Sequence, residues 1–230
     1  MMTRPITHAL LLPLLAACAV VQPARMEQPP GLEARAVATT IEGLGGGTRG
    51  SFRVAGNQGS FTRSASRLDL LDELVTFDRG SVDFTLQGPD FPAPVSAKCE
   101  ARQTTGTLRF VQFRPRKFGV DCRYQGLVAH FLLVEADPES GVHTLQAERR
   151  GEWTGAAGTL SVRSVHTVAG GALPLSAPIG YRIDAGGAPV ATVELNGLTP
   201  QLLLPADEAQ RRDALLIALT LALLWDPASR

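Results

Sequence analysis

Between residues 51 and 204 the chain repeats with a period of two. Val82, Phe84 and Leu86 alternate with Asp83, Thr85 and Gln87, and Phe118, Val120, Cys122 and Tyr124 alternate with Gly119, Asp121 and Arg123. Shorter runs of the same kind fall at Leu160 and Val162 and at 190–195. Side chains two apart share one face of a strand, so each run predicts a strand with one buried face. Turn chemistry separates the runs: Asp78-Arg79-Gly80, the segment 137–141, Gly170-Gly171, Gly186-Gly187 and Asn196-Gly197. Many short strands punctuated in this way predict an antiparallel sandwich or barrel. The stretch 67–75 fits either a strand or a short helix.

The pattern changes near the C-terminus. Residues 206–225 lose the alternation and are dense in Ala and Leu, both strong helix formers. Asp207 and Glu208 suit the positive end of a helix, and Asp226-Pro227 stops it. Gln210, Arg211, Arg212 and Asp213 give the first turns a polar side, whereas from Ala214 onward the helix is apolar all round. Such a helix must be surrounded by protein. The remainder of the fold is sheet, so the expected class is mainly β: an antiparallel barrel enclosing the apolar C-terminal helix. A helix lying across an open sheet is the other arrangement.

The residues that carry this expectation also resemble a known family. Ile179-Gly180-Tyr181-Arg182-Ile183 and Pro189-Val190-Ala191-Thr192-Val193 flank a glycine turn, and Ala214-Leu215-Leu216-Ile217-Ala218-Leu219 follows. This arrangement is similar to the tubby-like superfamily, with its LURP-one-related and scramblase members. The resemblance implies a barrel around a helix and, in some members, recognition of lipid or phosphoinositide. No lipid-binding residue of that family maps onto a position of this chain.

The N-terminus carries a second resemblance. Arg4, an apolar stretch over 9–16 and Leu15-Ala16-Ala17-Cys18 are similar to a bacterial lipoprotein signal. The resemblance implies removal of residues 1–17 and lipidation of Cys18. The protein is then expected in the cell envelope, with Ala19 favouring the outer membrane and its periplasmic side. An ordinary secretory leader is the alternative. Residues 18–50 hold Pro23, Pro29, Pro30 and the run Gly43-Leu44-Gly45-Gly46-Gly47, and are expected to form a flexible tether to a domain spanning 51–230.

Composition narrows the partners. With 22 basic and 22 acidic side chains the chain has no basic field of the kind that binds nucleic acid. The longest apolar run, 214–225, falls short of the roughly 20 residues of a spanning helix. In an oxidising envelope the remaining cysteines, Cys99 and Cys122, form an even pair, and a disulfide is expected between them if the strands around them pair. Two separate buried thiols are the other reading.

Candidate chemistry is sparse. Arg114, Arg116 and Lys117, between Phe113 and Phe118, form the densest basic cluster and suit an anionic surface or lipid headgroup. A solvated hairpin tip is the plainer reading of the same residues. Arg149-Arg150, before Gly151, reads as a turn. His130, His143 and His166 share no metal-binding spacing, and no nucleophile motif is present. The acidic run Glu135, Asp137 and Glu139 lacks the ligand spacing of a calcium loop. No catalytic, metal or cofactor residue is therefore assigned. The expected role is a non-catalytic one, a barrel surface presented to an envelope protein or lipid headgroup. The alternative is an enzyme with a site built from His130 or His166 and nearby carboxylates.

Overall fold

A computed structural model describes residues 24–70, 74–108, 111–136 and 147–225, with side chains throughout except at 108 and 111–116. Cys18, His143, Asp137 and Glu139 lie outside the described residues.

The strands are β1 (Ala36–Thr40), β2 (Arg49–Val54), β3 (Asn57–Leu70), β4 (Val75–Gly88), β5 (Phe91–Leu108), β6 (Val111–Gln125), β7 (His130–Glu135), β8 (Arg149–Gly155), β9 (Gly158–Val165), β10 (Gly180–Ala185), β11 (Ala188–Glu194) and β12 (Gln201–Pro205). They form one 12-stranded sheet in which each strand from β2 to β12 pairs antiparallel with the next, and β1 returns to pair with β12. The two free edges, β1 and β2, meet through a bridge between Glu42 and Arg53, whose backbone groups exchange hydrogen bonds of 2.9 and 3.0 Å. The sheet is thus a nearly closed barrel, which removes most of the unpaired edge.

The helix α1 (Glu208–Leu223) follows β12 and occupies the lumen. Asp207 caps it, its carboxylate accepting from the Gln210 N–H at 2.9 Å. Each residue from Ala214 to Leu219 is buried to 1% exposure or less. Around it stand Val82, Val120, Phe131, Trp153, Ile183 and Leu202, contributed by different strands of the wall. Burial of each large apolar side chain supplies about 1.5–3 kcal/mol, so the helix and the wall's inner face stabilise each other. At the helix N-terminal end, Arg211 forms an ion pair of 2.7 Å with Asp90 in the β4–β5 turn, and Asp213 accepts from the Ala157 N–H at 2.8 Å. At the other end Arg63 of β3 donates to the Leu223 carbonyl and to carbonyls of the Gly-rich loop at Leu44, Gly45 and Gly47. No basic residue stands in the helix's own last turn, so this cation from the wall faces its negative end.

Three expectations change. The tether expected over 18–50 is shorter in the described residues: 24–35 lies against the outer side of the barrel and β1 belongs to it. Met26 and Leu32 are fully buried, and Met26 bridges to Val168. A Cβ on Gly180 would sit 2.4 Å from the Met26 sulfur, so this glycine makes the notch into which Met26 packs. Prolines and glycines there shape an ordered strap, anchored by apolar residues too few and too scattered to show a period. Asp78-Arg79-Gly80 is not a turn but the middle of β4, where Asp78 lies directly opposite Arg67 and the pair closes to 2.9 Å. Arg149 and Arg150 likewise belong to β8. The ambiguous stretch 67–75 contributes the end of β3 and the start of β4.

The disulfide expectation matches the structure: Cys99 and Cys122 are direct partners on β5 and β6 and are joined at 2.11 Å, fully buried.

Candidate functional site

With the lumen filled, a concavity of about 1030 Å³ lies on the outside, across β3 to β7. Strand alternation explains its lining. Phe84, Ala97, Cys99, Val120 and Cys122 point inward, so their neighbours at odd register project into solvent.

Because pairing places residues side by side across strands, the wall carries ordered rows. One row runs Ser60, Thr85, Ser96, Gln125, all hydrogen-bonding groups, with Ser60 and Thr85 hydroxyls 3.1 Å apart. The next runs Thr62, Asp83, Lys98, Arg123, His130. The third runs Ser64, Ser81, Glu100, Asp121, Leu132. Lys98 thus faces Arg123 directly, and Glu100 faces Asp121 directly. Like charges in directly opposed positions oppose strand pairing. Two such pairs, of opposite sign, stand in adjacent rows about 7 Å apart along the strand. Their flanks soften but do not remove the conflict: Glu100 pairs with Arg102 and Asp121 with His130, at 3.1 Å for the latter.

The predicted basic cluster joins this site in part. Lys117 lines the concavity and is exposed. Arg114 and Arg116 stand on β6 beside it in sequence, with Arg116 opposite Thr104, and their side chains lie outside the described set. The cluster therefore sits on a strand rather than at the hairpin tip. Lys98, Arg123, Glu100 and Asp121 were legible only as the polar half of an alternating pattern; the register that opposes like charges could not be read without the pairing.

The histidines separate. His130 faces outward at the edge of the concavity, with its side chain and that of Asp121 each about half exposed. His166 is buried just beyond β9. Its Nδ1 donates to the Leu175 carbonyl at 2.9 Å, which leaves Nε2 to accept from the Ser164 hydroxyl at 3.0 Å. Ser164 Oγ in turn accepts from the Arg149 N–H at 2.9 Å. Burial holds the imidazole below its ordinary pKa, and the nearby Arg149 cation acts in the same direction. The serine–histidine contact resembles a nucleophile and its base, but it lies apart from the concavity across β3 to β7. It ties β8, β9 and the following loop together. Arg149 itself is buried, with its guanidinium 3.9 Å above the Phe118 ring and donating to Tyr181 Oη at 3.1 Å.

No group of His, Cys, Asp and Glu among the described residues is arranged to hold a metal ion. No described helix is long and apolar enough to cross a membrane. No family model, curated protein or solved structure matches the chain.

Proposed function

We propose that the protein is a lipid-anchored binding module of the bacterial cell envelope, held at Cys18, which engages an envelope partner through the outer wall of β3 to β7. The reading keeps the tubby-like resemblance as a description of architecture and moves the ligand surface to the charged rows. What supports it most is the opposition of Lys98 to Arg123 beside that of Glu100 to Asp121. A wall selected for stability alone would alternate these signs across the strands. Local conflicts that folding does not need mark surfaces kept for another purpose. A ligand with an anionic group over one row and a cationic group over the next relieves both, and a protein surface of mixed charge supplies that pattern better than a purely anionic headgroup.

The test places a photo-crosslinking amino acid at Ser96, in the rows, and at Thr159, on a distant strand. Expected is an adduct of defined mass from position 96 and not from 159, lost in the Arg123→Glu background. Equal adducts at both positions, or none at 96, would sink the reading. Salt-sensitive binding of the Cys18→Ser protein to phosphatidylglycerol vesicles, lost with the same substitution, would transfer the site to a lipid headgroup.

The catalytic alternative draws on the His130–Asp121 pair at the edge of the same wall. It requires new products from envelope lipid or cell-wall fractions by mass spectrometry, abolished by His130→Ala. The binding reading requires the same spectrum with either protein.

A further inference from the structure

In a barrel of consecutive antiparallel strands the connections alternate between two ends. The β1–β2, β3–β4, β5–β6, β7–β8, β9–β10 and β11–β12 connections share one end, together with the helix C-terminus; the other end carries the remaining connections and the helix N-terminus. We infer that the first of these ends rests on a lipid bilayer. This rests on the anchor at Cys18 proposed above.

The first observation is where the strap is tied. Ala24 stands six residues after Cys18 and is fastened at this end: its carbonyl accepts from Asn196 Nδ2 in the β11–β12 connection. Arg25 donates to Gln201 at 2.6 Å, and Met26 bridges to Val168 beyond β9. Six residues reach at most about 20 Å. The helix that spans the lumen, with 16 residues, is about 24 Å long. The short leash therefore favours the end to which it is tied.

The second observation is independent of the anchor. Leu198, two residues from the Asn196 clasp, is fully exposed, and Leu173 of the β9–β10 connection is 81% exposed. Leu68, Leu70 and Leu74, around the β3–β4 connection at the same end, are exposed as well. Strands β3 to β6 are long enough to carry their hairpins past the helix C-terminus, which Arg63 marks. Leucines raised on separate loops of one end have no protein among the described residues to cover them, and a bilayer interface accepts them. Lys117, with the backbone positions of Arg114 and Arg116, lies toward this end on β6, where cations meet an anionic leaflet.

In this orientation the charged rows stand on a wall that rises from the membrane, open to a partner from the side.

The experiment uses the full chain, lipidated at Cys18 and reconstituted into phosphatidylethanolamine–phosphatidylglycerol vesicles containing brominated acyl chains. Single fluorophores are attached at Leu198→Cys, Leu173→Cys and, at the opposite end, Val128→Cys. All three side chains are exposed, and circular dichroism checks that each labelled protein is folded. Expected is quenching several-fold stronger at 198 and 173 than at 128, in protein that floats with the vesicles. Floating protein with equal quenching at the two ends, or stronger quenching at 128, overturns the orientation and leaves the anchor. Floating protein with concentration-dependent self-quenching at 198 and none by bromine gives this end to a second copy and overturns it too. Protein that does not float removes the anchor, and the inference with it.

Discussion

Tyr124 of the barrel wall and Thr220 of the central helix share a hydrogen bond of 2.8 Å inside the barrel. Both are buried, and burial raises the Tyr124 hydroxyl pKa far above its ordinary value, so it stays a neutral donor. Thr220 has a second option, the carbonyl one turn back on its own helix. Tyr124 has none of that kind, and it packs edge-on between Phe84 and Trp153. Thr220→Val is therefore expected to cost about 1–3 kcal/mol and Tyr124→Phe less, while the double variant recovers part of the loss. Urea unfolding of the four proteins measures this, and strictly additive losses would show that the contact does not couple helix to wall.

Leu219 tests whether the helix is core. It is fully buried between wall and helix neighbours. Leu219→Asp buries a carboxylate without a partner, a loss of several kcal/mol that the fold is not expected to survive. Leu219→Met keeps the volume and is expected to cost less than about 1.5 kcal/mol. Thermal melts by circular dichroism separate the two, and a cooperative, near-normal melt of the Asp variant would move the helix out of the core.

The Cys99–Cys122 bond closes a chain separation of 23 residues inside the lumen. Replacing both by Ser is expected to lower stability by about 3 kcal/mol in the chain-entropy account. Because neither sulfur meets solvent, thiol trapping of reduced protein should accelerate in step with unfolding as urea is added. Reduction at a constant rate below the unfolding transition would contradict the burial.

How far the fold was legible follows from which forces act locally. Alternation at Val82 to Leu86 and Phe118 to Tyr124 reports one buried face, and the apolar stretch after Ala214 reports complete enclosure; together they imply barrel around helix. The strap did not show, because Met26 and Leu32 are single anchors that acquire meaning only against Gly180 and the β10–β12 wall. Arg149 read as part of a turn because a charged pair before glycine is ordinarily one; its place on a strand and its burial depend on Phe118 and Tyr181, distant in the chain. The opposed charges were hidden for the same reason. Lys98 and Arg123 are unremarkable separately, and only the β5–β6 register makes them neighbours.

His166 gives the fold a pH dependence of known sign. Its folded pKa lies below the ordinary 6.5, so the unfolded chain binds the proton more readily. Its contribution is complete above about 6.5 and is lost as pH falls from there toward the depressed folded value. His166→Asn retains a donor for the Leu175 carbonyl without a titrating ring. The difference in urea midpoint between wild type and variant should vary over that acidic window and be constant above it. A difference independent of pH would show that burial does not perturb this imidazole.

Arg123→Glu separates folding from binding. It replaces the cation opposite Lys98 by an anion and leaves the Lys98–Asp83 opposition on the other side of β5 intact. Removing a direct like-charge pair and creating an opposite one is expected to raise stability by up to about 1 kcal/mol, less at high salt because the wall is exposed. If the rows exist for a partner, the same variant loses the crosslink from position 96 while melting later than wild type. Loss of capture with lower stability would trace the effect to damage of the wall, whereas higher stability with capture retained would show that the opposed charges are not the contact surface.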